Sequence, residues 1–125
     1  MQLNSFDHII LLAHGSPDTK WKEPFEVITS NIVEKVGSDR VSLAFMELTT
    51  PTLEDVIQSL PVSKQKLAVL PLFLAVGRHL RQDVPAQIED ISQAQNRDIT
   101  LLPPIGDDNA VRDAIEQSII GRLSN

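Results

Sequence analysis

The chain predicts an α/β fold: a four-stranded, mostly parallel sheet in strand order 2-1-3-4 with helices on both faces. Three observations predict it. Apolar runs of strand length alternate with amphipathic stretches of helix length in the order βαβαβαβα, which implies parallel strands joined by helical crossovers. Right-handed crossovers then leave few topologies. The length of 125 residues suits one domain, expected to span residues 1–125, and for so short a chain a flavodoxin-like three-layer sandwich is the common solution.

The elements follow in order. Asp7–Ala13 is a continuous aliphatic run, expected as a strand buried on both faces. A helix over roughly Lys22–Val36 presents Phe25, Ile28, Ile32, Val33 and Val36 as its apolar stripe, with Gly37 as terminator. Val41–Glu47 predicts the second strand, with Val41, Leu43 and Phe45 on one face and Glu47 in phase with them. Thr52 is the expected N-cap of a second helix. Its buried stripe is Leu53, Val56, Ile57 and Leu60, and Pro61 follows its end. Leu67–Leu74 predicts the third strand, in which Pro71 removes a ladder donor and marks a bulge or a strand end. The third helix is expected over Val84–Gln95, with Asp83 as cap, Pro85 in the first turn, and Ile88 and Ile91 inward. Ile99–Leu102 is a short fourth strand before Pro103-Pro104. A final helix over Asn109–Arg122, capped by Asp107 or Asp108, places Val111, Ile115 and Ile119 on one stripe.

Composition removes several function classes. With no cysteine there is no disulfide, thiolate chemistry or cysteine-ligated metal. A net charge of −6 argues against nucleic-acid binding, and one tryptophan with no tyrosine leaves no stacking platform. No run of about 18 apolar residues predicts a membrane span, and the N-terminus does not resemble a signal peptide. A cytoplasmic protein is expected.

Two histidines carry the functional signal. His14 stands in His14-Gly15-Ser16 after the first strand. His79 stands in Gly77-Arg78-His79 after the third, and is expected in a loop. In the 2-1-3-4 order, strands 1 and 3 are neighbours about 4.8 Å apart. Their carboxyl ends form the switch point where open α/β sheets bind ligands. Glu47, at the expected end of strand 2, would join the same rim. Two imidazoles and a carboxylate suit either a divalent metal or acid/base chemistry. Each residue alone also has an ordinary explanation as a loop or solvated strand-end group. Lys20, Lys22, Arg78 and Arg81 lie near the two loops and offer local positive charge, and the Gly15 and Gly77 amides offer close approach to an anion. Ser16 is expected as a turn or anion-binding hydroxyl; a nucleophile elbow, Gly-x-Ser-x-Gly, is missing. Nucleotide-binding glycine motifs are absent as well. His8, at the opposite end of strand 1, is expected to be structural or exposed, and Trp21 to pack.

These motifs resemble the short, CbiX-type sirohydrochlorin cobaltochelatases, a single-lobe branch of the class II chelatases. The resemblance rests on Leu12-Ala13-His14-Gly15-Ser16, Phe45-Met46-Glu47-Leu48 with Pro51-Thr52-Leu53, and Val69-Leu70-Pro71-Leu72-Phe73-Leu74. It continues through Gly77-Arg78-His79 with Asp83-Val84-Pro85, and Pro103-Pro104-Ile105-Gly106. It implies a chelatase-like sandwich and insertion of a divalent metal into sirohydrochlorin, a macrocycle bearing eight carboxylates. That step belongs to cobalamin or sirohaem biosynthesis. The metal is a substrate, cobalt first, with nickel or ferrous iron using the same ligands; no organic cofactor is expected. The resemblance assigns the metal to His14 and His79 and the acidic position to Glu47. It implies a homodimer that rebuilds the two-lobed enzymes. Pro17-Asp18 replaces a common arginine–aspartate step and Arg78 a common glycine, changes that bear on carboxylate recognition more than on metal binding. A non-catalytic metal- or tetrapyrrole-delivery protein would use the same histidines, and a small hydrolase would need Ser16.

Overall fold

A computed structural model describes residues 3–124, apart from the side chain of His79. Strands β1 (His8–Ala13), β2 (Val41–Phe45), β3 (Lys66–Pro71) and β4 (Asp98–Leu101) form one sheet in the order β2-β1-β3-β4. All three pairings are parallel, as predicted. The helices are α1 (Glu23–Val36), α2 (Leu53–Ser59), α3 (Arg78–Gln95) and α4 (Asn109–Leu123), with 3₁₀ turns at Thr19–Lys22 and Ile105–Asp107.

The sheet sorts its side chains by alternation. Ile10, Leu12, Leu67 and Val69 face α2 and α3, where Leu53, Val56, Ile57, Val84, Ile88 and Ile91 complete the main core. Ile9, Leu11, Ala68 and Leu102 face the other way, toward α1 and the N-terminal segment. Every residue of β1 is buried, which is why its sequence is aliphatic without alternation. Thr52 caps α2 in a capping box with Asp55, and α1 ends at Gly37.

The structure corrects several expectations. β2 stops at Phe45 rather than Glu47, because its partner β1 has ended: the last ladder bond is Met46 N–H to the Ala13 carbonyl, 2.9 Å. β3 starts at Lys66 and stops at Pro71, the proline being its end rather than a bulge. The fourth strand is shifted one residue earlier, to Asp98–Leu101. The third helix begins at Arg78, not Val84; Gly77 is its N-cap, and both Asp83 and Pro85 lie inside it. Asp83-Val84-Pro85 has the composition of a helix start, but Pro85 lies in the helix interior, where it cannot donate to the carbonyl of Arg81 and its ring crowds that carbonyl. His79 is therefore in the first turn of α3 and not in a loop. Finally, α4 buries nothing: Ile115 and Ile119 are exposed, because the helix packs on the 3₁₀ turn before it and not on the sheet. The stripe of α1 is also shallow, with Phe25, Ile32 and Val33 half-buried but Ile28 and Val36 exposed.

Two polar groups are locked into the amino-terminal end of the sheet. The Arg97 guanidinium donates to the carbonyls of Leu60 (2.8 Å), Pro61 (3.1 Å) and Lys64 (2.6 Å), closing the α2–β3 connection. His8 is only 2% exposed; its Nδ1 lies 3.0 Å from the Asp39 carbonyl and its Nε2 2.8 Å from Ser42 Oγ. A neutral ring with its proton on Nδ1 satisfies both, the serine hydroxyl donating to Nε2. Burial, and then the nearby Lys64 ammonium, hold this imidazole below its ordinary value of 6.5. The unfolded chain therefore takes up a proton at pH values where the folded one does not. Stability contributed by neutral His8 is present above pH 6.5 and declines as pH falls toward the folded value. Urea midpoints are expected to fall between pH 7 and pH 5, with a smaller slope in His8→Gln; an unchanged slope would remove His8 as its source.

Candidate functional site at the carboxyl rim of the sheet

The rim is built by running the central strand out between two neighbours. Ala13, the last residue of β1, pairs with Phe45, and Leu72 N–H donates to the Leu12 carbonyl at 2.8 Å. The first loop therefore emerges with the second loop on one side and the third on the other. Gly15 lies directly against the Glu47 main chain; a Cβ there would overlap the Glu47 carbonyl group. Thr49 Oγ1 accepts from Ser16 N–H (2.9 Å) and donates to the Ser16 carbonyl (2.6 Å), a two-way clamp between these loops. Ser16 Oγ accepts from Asp18 N–H at 3.1 Å, the turn role expected of it. Trp21 packs on Phe25, ring centroids 4.8 Å apart.

The third loop meets the first through aromatic contact. The exposed His14 imidazole lies over Phe73, centroids 4.2 Å apart and planes tilted by 30°. Phe73 is itself 4% exposed, and its carbonyl accepts from Gly106 N–H at 3.0 Å, so the fourth loop props the third. His14 thus has one ring face set by a buried surface and its edge open to a ligand. Neither Phe73 nor Thr49 stood out in the sequence. Phe73 follows a strand with the pattern of an ordinary core residue, and Thr49 is one of two adjacent threonines.

His79 enters as the second residue of α3, with its backbone at the same rim; the predicted His14–His79 pairing falls on its side chain, outside the described residues. Gly77 caps α3 with an extended backbone, and among the described residues no side chain caps this end. The first-turn amides and the helix dipole favour an anion here. Glu47 is exposed, two residues beyond β2, and its main chain rather than its carboxylate makes the contact with Gly15. Leu48 follows with φ 64°, in the left-handed region, so the chain beyond Glu47 is no longer extended. Among the described residues no three histidine, aspartate or glutamate side chains cluster closely enough to hold a metal.

Arg78 and Arg81 are exposed on the first turn of α3, and Lys20 and Lys22 lie on the 3₁₀ turn after the first loop. Arg81 also lines an apolar cleft of about 320 Å³ with Phe73, Leu80 and Pro103. The rim therefore combines an aromatic-backed imidazole, a helix N-terminus, local positive charge and an apolar seat.

These features define the class: an open parallel α/β protein with its ligand rim at the topological switch point. The particular family follows from comparison, for the CbiX family model matches residues 8–121 and the chain belongs to that family. The chain is 26% identical over 112 residues to the sirohydrochlorin cobaltochelatase of Sulfurisphaera tokodaii, covering 89% of each. It is 30% identical over 122 residues to the chloroplastic sirohydrochlorin ferrochelatase of Arabidopsis thaliana, covering 95% of this chain but 54% of that one. A crystal structure of a CbiX protein from Marinobacter aquaeolei VT8, assigned to cobalamin (vitamin B12) biosynthesis, superimposes with TM-score 0.80 at 39% identity. That match covers 93% of this chain and 96% of the other.

Gly15→Ala is expected to destabilise the fold by about 1–3 kcal/mol, since the first loop must leave the Glu47 backbone. Gly77→Ala meets nothing within 4 Å and is expected to stay within about 0.5 kcal/mol of the parent. Denaturant unfolding of both variants checks the contrast.

Proposed function

We propose that this chain inserts a divalent metal into sirohydrochlorin, as a CbiX-family chelatase. The observation that carries the proposal is an aromatic-backed His14 at the switch-point rim of a chain whose relatives are named sirohydrochlorin chelatases. Cobalt is the first substrate metal, because most of the named relatives are cobaltochelatases; the plant relative is a ferrochelatase, and ferrous iron and nickel suit the same imidazole ligands.

In this proposal His14 and His79 hold the incoming metal and Glu47 assists as a carboxylate. The macrocycle lies across the rim with its acidic arms toward the first-turn amides of α3, Gly15, Ser16, Arg78 and Arg81. Its apolar edge meets the cleft beside Phe73. Insertion replaces two pyrrole N–H bonds with metal–nitrogen bonds and releases two protons. An unprotonated imidazole or Glu47 accepts them. A ligating imidazole must be free of its own proton, so insertion slows on acidification. No described helix is long and apolar enough to cross a membrane, and we place the enzyme in the cytoplasm as a homodimer of one-domain chains, each dimer matching the length of a two-lobed relative.

The test follows sirohydrochlorin absorbance with Co²⁺, Ni²⁺ or Fe²⁺. The His14→Ala/His79→Ala double variant is expected to lose more than about 100-fold in protein-dependent rate, beyond what outer partners of metal ligands contribute. Equal rates for parent and variant would overturn the proposal. Turnover above one metal per chain separates a chelatase from a delivery protein. A second expectation concerns Phe73. Phe73→Leu keeps an apolar neighbour but removes the ring under His14, and is expected to raise the metal KM by about 10-fold with a smaller change in kcat.

A further inference from the structure

Two leucines stand open at the carboxyl rim of the sheet. Leu48, in the second loop, is 69% exposed, and Leu74, in the third, is 64% exposed. Among the described residues, the other large apolar side chains this open lie on α1, on α4 or in the α2–β3 connection. Leu48 also has φ 64°, a left-handed conformation that glycine or asparagine adopts at lower cost. A leucine there strains the backbone and buries nothing in return. Such a residue points to a use outside the folded chain itself.

The main chain that carries these side chains is held by direct contact. Gly15 lies against the Glu47 carbonyl, one residue before Leu48. Gly106 lies against the carbonyl and Cα of Leu74 itself, and a Cβ on either glycine would overlap those atoms. On the other side of Leu48, Thr49 clamps both main-chain groups of Ser16. The two side chains are therefore open while their anchor points are fixed. In that condition an apolar contact with a ligand costs least in ordering. Because the strand order is β2-β1-β3, the second and third loops emerge on opposite sides of the first. The leucines thus belong to the two flanks of His14, which rests on Phe73 between them in the chain of contacts.

We infer that Leu48 and Leu74 bear on the conjugated face of the macrocycle and set its height and tilt over His14. The inference deepens the chelatase proposal and rests on it. The chemistry of the ligand divides the task. Sirohydrochlorin has an apolar conjugated ring and carboxylates on flexible arms. Arg78, Arg81 and the first amides of α3 suit the carboxylates, but an arm bends at its methylene groups and leaves the ring free to rock. Metal insertion requires the ring nitrogens to meet the metal in one orientation. Two apolar supports on fixed backbone, one on each flank of the imidazole, remove that freedom. A ring pressed on them also takes exposed leucine surface out of water, which favours binding without calling on charge.

Leu48→Asn and Leu74→Ser remove the supports without touching the core. Asparagine suits the left-handed backbone, so Leu48→Asn is expected to unfold thermally at or above the midpoint of the parent. Binding of metal-free sirohydrochlorin is followed by quenching of Trp21, the single tryptophan. It is expected to weaken about 10-fold in each variant, the effect of leaving part of one leucine side chain uncovered. The KM for sirohydrochlorin is expected to rise with it while the KM for Co²⁺ stays at the parent value, and Leu48→Met and Leu74→Met are expected to restore binding. Parental affinity for sirohydrochlorin in the Leu48→Asn/Leu74→Ser double variant would overturn the inference. So would a rise in the Co²⁺ KM as large as the loss of sirohydrochlorin binding. A change of oligomeric state in light scattering, with sirohydrochlorin binding unaltered, would overturn it in favour of contact between chains. The chelatase proposal fails by a different result. A parent that neither binds sirohydrochlorin nor inserts metal overturns both readings, whereas a parent that does both, with variants equal to it, overturns this one alone.

Discussion

Everything at the rim depends on β1 being paired on both edges. Its two parallel ladders, to β2 and to β3, use its backbone groups, and its two faces are buried under opposite halves of the core. A strand in this position has no room for polar side chains except at its ends. At one end His8 is accommodated by hydrogen bonds to Asp39 and Ser42. At the other the ladder runs out at Ala13, and the chain must turn between two loops that are already in place. His14 stands at that turn.

The loops around it are held largely by backbone approach and by hydrogen bonds to backbone. Gly15 lets the first loop touch the Glu47 main chain, Thr49 bonds both main-chain groups of Ser16, and Gly106 supports the carbonyl of Phe73. Such contacts leave the polar side chains free for a ligand. They also separate two tasks: the main chain sets position, while His14, Arg78 and Arg81 remain exposed to solvent. An acidic protein, net −6, can thereby present a locally favourable site for an anion, because a helix N-terminus and neighbouring guanidinium groups act over short distances where screening is weakest.

The two faces of the sheet are unequal. The face under α2 and α3 is closed by two helices whose buried stripes, Leu53–Val56–Ile57 and Val84–Ile88–Ile91, match strand residues beneath them. The opposite face is covered by α1 and the N-terminal segment, with no fully buried residue on that helix. The last helix, α4, contributes no buried residue to either face.

Element order, strand direction and the core of α2 were legible in the sequence, because aliphatic runs, the Thr52 cap and the Leu53–Ile57 stripe are local signals that tertiary packing reinforces. His14 was legible as a rim residue because its strand ends where the apolar run ends. The start of α3 was not, since Asp83-Val84-Pro85 has the composition of a helix start, and only packing of the preceding turn made Gly77 the cap. Glu47 was placed at a strand end by alternation, yet β2 stops when β1 does, a limit set by a neighbouring strand. Phe73 beneath His14 and Thr49 against Ser16 both join residues distant in sequence. By itself the sequence determined which elements form and in what order, through periodicity and caps. Only the tertiary structure decided where strands end, which side chains meet and which face is left uncovered, because those are properties of neighbours that no local stretch contains.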